Sequence, residues 1–167
     1  GIGRAIAERF APECKVLHLV SRQASDLLKL NDVLSRSGLE IHVHEVDLSE
    51  AIQVQQLVTD VLQISPNIDV LINNAGVSAF EPWQERTVDD FDWVTSVNLK
   101  GTFLCMKEYL NYLIKSKHSG SIVNVASFYG VISPDPRIYT DLNRRNSEVY
   151  GATKAGVIQI DRKSTRL

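Results

Sequence analysis

The chain is predicted to form a doubly wound α/β fold, a parallel sheet with helices on both faces. Short apolar runs at 16–20, 39–46, 70–73 and 122–126 alternate with stretches of helical spacing. Candidate polar and small residues gather just after those runs, where parallel sheets of this kind bind their ligands. Neither an internal repeat nor a low-complexity linker interrupts the order.

Each element follows from a local signal. Ile2, Ile6 and Phe10 share one stripe, so a helix opens the chain, and Pro12 and Glu13 break it. A strand at 16–20 leads to a helix at 24–36, which Ser37 and Gly38 end. The strand at 39–46 is followed by Asp47-Leu48-Ser49 and a helix at 50–64, closed by Ser65-Pro66-Asn67. After the strand at 70–73, residues 87–113 carry one or two helices, with Thr87 and Asp89 as candidate caps. Asp89, Asp90 and Asp92 form a charge cluster that a helix N-terminus favours. The strand at 122–126 precedes a helix that contains Tyr150.

At 167 residues the chain is one domain, long enough for a single core. Its hydrophobic content of 44% and charged content of 23% are those of an ordinary globular chain. A net charge of −2 gives no bulk electrostatic attraction to nucleic acid or a membrane surface. Neither a membrane-spanning apolar run nor a signal peptide is visible. Cys14 and Cys105 lie far apart and read as reduced structural thiols of a cytoplasmic protein.

The chemistry is concentrated in Tyr150-Gly151-Ala152-Thr153-Lys154. A four-residue spacing puts phenol and ammonium on one helix face, one turn apart. A neighbouring cation stabilises a phenolate relative to a phenol, which suits proton exchange with a carbonyl or hydroxyl oxygen. Upstream stand Ser127 at the end of a buried strand, Asn98 within Val97-Asn98-Leu99-Lys100-Gly101, the turn Asn73-Asn74-Ala75-Gly76, and Gly1-Ile2-Gly3-Arg4.

In this order the motifs closely resemble the short-chain dehydrogenase/reductase family, over nearly the whole chain. The resemblance implies a Rossmann-like fold and a catalytic tetrad of Asn98, Ser127, Tyr150 and Lys154. Tyr150 is then the general acid/base, and Lys154 supports it and holds the nicotinamide ribose. Ser127 bonds the substrate oxygen. Asn98 kinks its helix and supports a water leading from Lys154 to solvent. The family's glycine turn normally follows a first strand and a Thr-Gly pair, so the chain reads as truncated at both ends. Residues 1–161 read as the partial NAD(P)-binding domain, and 162–167, which lose the apolar period, as a non-native tail. Such a fragment exposes sheet edges and is expected to fold poorly.

Gly1, Ile2 and Gly3 correspond to the turn that admits a pyrophosphate; Arg4 either leans on a phosphate or is simply solvated. At the end of the second family strand an acid selects a free ribose hydroxyl and a base selects a 2′-phosphate. Ser21 and Arg22 occupy that place, which favours NADP(H) over NAD(H). Asp47 and Leu48 resemble the adenine contact, and Asp47 also suits a helix N-cap. Asn74, Ala75 and Gly76 would line the cofactor, with Tyr150 and Lys154 at its reactive end. Asn73 is expected to tie neighbouring strands.

The spacing from Ser127 to Tyr150 is longer than the family's usual one. The extra segment, 134–146, carries Arg137, Arg144 and Arg145 and resembles flagellin-modification and gluconate-5-dehydrogenase-like members. That resemblance implies a sugar, a sugar acid or a related carbonyl compound as substrate. Tyr139 and Tyr129 lack the lysine partner that Tyr150 has. His42 and His44 alternate on a strand and face one side, without a third ligand for a metal. Trp83 and Trp93 are expected to anchor the core and an interface. The family implies a homodimer or homotetramer through the helix carrying Asn98, with an exposed apolar face. A non-catalytic NAD(P)-binding regulator is the competing reading, and the intact tetrad argues against it. A sugar-nucleotide epimerase or dehydratase also uses the Tyr–Lys spacing, but the Asn-Asn-Ala-Gly turn favours the single-domain dehydrogenases.

Overall fold

The computed structural model describes residues 1–35, 38–141 and 147–164. Its elements run α1 (Ile2–Phe10), β1 (Val16–Ser21), α2 (Ala24–Leu34), β2 (Glu40–Glu45), α3 (Ala51–Ile64) and β3 (Val70–Asn73). They continue through α4 (Val88–Thr95), a π-helical turn (Ser96–Gly101), α5 (Thr102–Ser116), β4 (Ser121–Asn124) and α6 (Glu148–Ser164). The alternation anticipated from periodicity is present, with ends shifted by a residue or two. The helix predicted over 24–36 ends at Leu34, where Ser35 turns its hydroxyl back onto the Asn31 carbonyl at 2.7 Å. Arg36 and Ser37 lie outside the described residues. Helix α6 keeps its backbone through Ser164, and 165–167 lie outside the described residues.

All strand pairing among the described residues is parallel. β1 pairs with β2 from Val16↔Glu40 to Ser21↔Glu45, and β3 pairs with β4 from Val70↔Ser121 to Asn73↔Asn124. Among the described residues each strand bonds a neighbour on one side only, so the expected continuous sheet is divided into two pairs. Around the first pair Ala7, Ala11, Leu19, Leu30 and Leu34 form a core, with Leu17, Leu27, Leu39 and Ile41 packed against it. Thus α1 contributes Ala7 to the core, while Ile2, placed on its apolar stripe by the spacing, is exposed. Around the second pair, α5 packs on β3, and α6 packs on β4 and on the π-helical turn.

The region at 87–113 resolves into two helices joined by the wide turn. Thr87 caps α4 through a reciprocal box: its hydroxyl accepts from Asp90 N and the Asp90 carboxylate accepts from Thr87 N. Asp90 therefore partners the cap, and the alternative cap at Asp89 is not used. Trp83 and Trp93 are exposed, contrary to the expected core role. The neighbouring Val94 and Val97 point inward and take the buried positions, leaving both indoles outside. Among the described residues no helix is long and apolar enough to cross a membrane. Neither Cys14 nor Cys105 forms a disulfide among the described residues, and burial pushes the Cys105 thiol up to about 11.

Candidate active site

Asn98 is fully buried at the centre of the half built around β3 and β4. The π-helical turn aims its amide at the loop after β3. There its Oδ1 accepts from Val77 N at 2.8 Å, and its Nδ2 donates to Val77 O at 2.9 Å. The same Nδ2 donates to Thr153 Oγ1 on α6 at 3.1 Å, and the Thr153 hydroxyl donates onward to Tyr150 O at 2.8 Å. Thr102 answers the carbonyl that the wide turn releases, donating to Asn98 O at 2.8 Å. One amide thus joins three segments with its polar atoms satisfied, the condition for burying it cheaply.

Lys154 is 4% exposed, and its Nζ donates to Val125 O at 2.7 Å, at the end of β4. Burial pulls its pKa below the ordinary lysine value. The ammonium stands 5.7 Å from the centroid of the Tyr150 ring, so the helical spacing brings the two together as expected. A Cβ added at Gly76 would lie 3.4 Å from Lys154 Nζ and 3.5 Å from Asn98 Oδ1. Gly76, Asn98 and Lys154 therefore converge on one spot.

Ser127 has extended backbone and starts the turn at Phe128–Gly130, its hydroxyl accepting from Tyr129 N at 3.2 Å. That turn lies directly on α6. A Cβ at Gly130 would meet Lys154 C and Ala155 N at 2.8 Å, so only glycine allows the contact. Sequence reasoning missed Ser147, which is 1% exposed and accepts from Tyr150 N at 3.1 Å. A serine three residues before an apolar-periodic tyrosine was the signal available for it. Arg86, also missed, pairs with Glu148 and donates to Glu81 O at 2.9 Å, tying the loop before α4 to the first turn of α6. Trp83, Val88, Phe91, Ser147 and Val149 line a cavity there.

The cofactor candidates divide. Gly3 abuts Asn74, whose Nδ2 would lie 2.6 Å from an added Cβ, and Leu48 packs its carbonyl against Gly101. Ala75, next to Asn74 in the chain, is exposed. Gly1 has nothing within 4 Å of where a side chain would begin. Ser21 and Arg22 stand at the tip of β1, beside Asp47 at the tip of β2. The backbone amide of Ser49 holds the Asp47 carboxyl below its usual range, and the Arg22 guanidinium adds to the effect. Asp47 does not cap α3, whose N-cap is Glu50; it closes the preceding turn by accepting from Ser49 N at 2.9 Å. Arg4 is engaged by Glu8 at 2.8 Å.

Outside the tetrad several expectations change. Arg137 is held by Asp135, with Nε at 3.0 Å from both carboxylate oxygens, so the insertion neutralises it internally. Arg144 and Arg145 lie outside the described residues. Tyr139 bonds Tyr129, two residues after Ser127. His42 and His44 share a face, and parallel register adds His18, whose Nδ1 lies 2.9 Å from His44 Nε2. Among the described residues no group of three or more ligating side chains could hold a metal.

The sequence profile of the short chain dehydrogenase family matches residues 1–166. The chain belongs to this family. It is 37% identical over 134 residues to sepiapterin reductase of Chlorobaculum tepidum, covering 76% of this chain and 54% of that protein. NAD+-bound xylitol dehydrogenase superposes with a TM-score of 0.84 at 30% identity, covering 98% of this chain and 59% of that one. A metagenomic short-chain oxidoreductase in complex with NADP gives 0.86 at 27% identity, covering 99% and 71%. The parallel α/β architecture is thus Rossmann-like. The chain spans about half the length of the curated relatives it matches.

Proposed function

We propose that this chain carries the cofactor and catalytic residues of an NAD(P)-dependent oxidoreductase that interconverts a secondary alcohol and a ketone. One observation carries the reading: a buried lysine ammonium on α6 lies within 5.7 Å of the Tyr150 ring, with the Ser127 turn held against the same helix through Gly130. Burying an ammonium costs free energy that pairing and hydrogen bonds must offset, so a buried lysine with a lowered pKa beside a tyrosine marks a functional site.

The residues present fit a dinucleotide. The missing side chains of Gly3 and Gly76 let the Asn74 amide and the Lys154 ammonium come close to the backbone near a strand end, and these are donors that a dinucleotide's oxygens can accept from. Gly1, Ile2, Gly3, Ser21, Arg22, Asp47, Leu48, Asn74, Ala75, Gly76, Tyr150 and Lys154 would hold it. When bound, the nicotinamide supplies the hydride acceptor or donor. Tyr150 moves the proton between its phenol oxygen and the substrate oxygen. Ser127 turns its hydroxyl toward that same oxygen and steadies the developing charge. Lys154 holds the ribose with its remaining donors while keeping one on Val125 O. Asn98 holds Thr153, and through it the first turn of α6, so that the phenol is presented at one height.

NADP(H) is favoured over NAD(H) because Arg22 presents a guanidinium at the tip of β1. The substrate is a small sugar, sugar acid or related carbonyl compound, the class that the insertion resembles. Exposed Val88, Phe91, Phe103 and Ile114 support assembly with a second copy through α4 and α5. Two cysteines that form no disulfide support a cytoplasmic setting. Replacing Tyr150 with Phe is expected to cut turnover of a polyol and ketose panel by about 10²–10⁴-fold, with NADPH binding retained. Undiminished turnover in that variant overturns the assignment.

A further inference from the structure

Tyr150 stands in the first turn of α6, where backbone amides find no partner within the helix itself. Its peptide is nevertheless held on both sides by hydroxyl groups. Ser147 Oγ accepts from Tyr150 N at 3.1 Å, and Thr153 Oγ1 donates to Tyr150 O at 2.8 Å. Both residues are buried. Thr153 is steadied in turn by Asn98 Nδ2 at 3.1 Å. The Ser147 carbonyl also accepts from Gly151 N at 3.4 Å. Ser147 therefore closes the turn around Tyr150 through its backbone and through its side chain.

The tyrosine and the lysine are anchored unequally. Lys154 lies one turn further on, and its Nζ is fixed on Val125 O at 2.7 Å, at the end of β4. It keeps its place whether or not the first turn is intact. The Tyr150 ring lies 5.7 Å from that ammonium only while its own peptide stays in helical register. Arg86 brings a second tie to this turn, but it grips the half-exposed Glu148 side chain and leaves the Tyr150 amide to another partner. The Ser147 hydroxyl answers that amide.

We propose that Ser147 is a positioning residue for the proton transfer: its hydroxyl fixes the Tyr150 peptide and so sets the phenol against the Lys154 ammonium. The inference rests on the oxidoreductase reading above and adds to it the group that holds the acid/base in register. Ser147 acts through Tyr150 alone.

The test compares two side chains of nearly one shape. Ser147 lines a cavity of about 310 Å³ beside Val94 and Val149, which gives an added methyl somewhere to go. Ser147→Thr keeps the acceptor and Ser147→Val removes it, so the pair isolates the oxygen. Kinetics are read on the full-length chain, using the member of the polyol and ketose panel that the parent turns over fastest. Circular dichroism confirms that each variant is folded. Ser147→Val is expected to lower kcat about tenfold, with KM and NADPH affinity changed by less than about twofold. Ser147→Thr should return kcat to within about threefold of the parent. In a Tyr150→Phe background, Ser147→Val should change the residual turnover by less than about twofold, because the phenol through which it acts is gone. That combination supports the proposal, since a general loss of packing would slow both backgrounds and weaken NADPH as well. Equal kcat in the valine and threonine variants, or an undiminished valine effect in the Tyr150→Phe background, overturns it while leaving the oxidoreductase reading intact. A Tyr150→Phe variant as active as the parent, or a parent that turns over no member of the panel with either dinucleotide, overturns both.

Discussion

The two strand pairs solve different problems. The β3–β4 pair is only four residues long on each side, yet the polar groups around it are buried and tied: Asn98, Ser147, Thr153 and Lys154 are all under 5% exposed. The β1–β2 pair is longer, with six register partners, and its tip leaves Arg22 exposed. Its interior polar residues are imidazoles, of which His18 and His44 bond each other. Chemistry that depends on sub-ångström placement is built from satisfied buried bonds. Recognition of a charged ligand group needs a guanidinium that water can reach and a phosphate can replace. On the proposed reading, the half that would carry catalysis is preorganised, while the half that would select the dinucleotide keeps the Arg22 guanidinium in solvent.

Removing Asn98 should break the contrast most severely. Asn98→Ala strands the Val77 amide and carbonyl and loosens Thr153, costing on the order of 2–4 kcal/mol of stability. Urea denaturation measures this, and a loss under about 1 kcal/mol would show that the buried ties are redundant.

Acid should strike the other half. His18 is pushed down to about 4 from 6.5, by burial first and then by the neighbouring His44 and His42. Burial also lowers His44. The Glu40 carboxylate, which bonds His42, opposes the shift of His18, and Asp60 opposes that of His44. The folded state thus binds fewer protons at these imidazoles than the unfolded chain does below pH 6.5. The stability carried by neutral His18 is complete above that pH and is lost as pH falls toward about 4. With partial exposure discounted, the loss is roughly 2 kcal/mol. His18→Gln should flatten the dependence of urea midpoint on pH between about 7 and 4.5, and an equal slope in that variant would exonerate the imidazoles.

The smallest effect sharpens the comparison. Arg22→Ala should leave folding unaltered and weaken NADPH by about tenfold, with NADH changed by less than about twofold. Equal losses for both dinucleotides in a fluorescence titration would remove Arg22 from the choice between them.

Much of the site was legible because its signals are local. Tyr150 and Lys154 meet through helical spacing alone, Thr87 announces a cap, and Asn73 ties its strand to the next as anticipated. Trp83 and Trp93 misled because an aromatic ring carries no sign of which side of its element faces the core. Arg137 misled because the carboxylate that captures it, two residues away, looked like another loop charge.

Local periodicity and capping chemistry by themselves determined the order and type of the elements, and the Tyr150–Lys154 pair, since each depends on residues within one or two turns. Only the tertiary structure decided that His18 joins His42 and His44, that Gly130 seats the Ser127 turn on α6, and that Asn124 meets Asp161. These contacts join residues 24 to 37 positions apart. Strand register and helix packing bring them together, and both are set by burial over the whole domain, to which no short stretch of sequence has access.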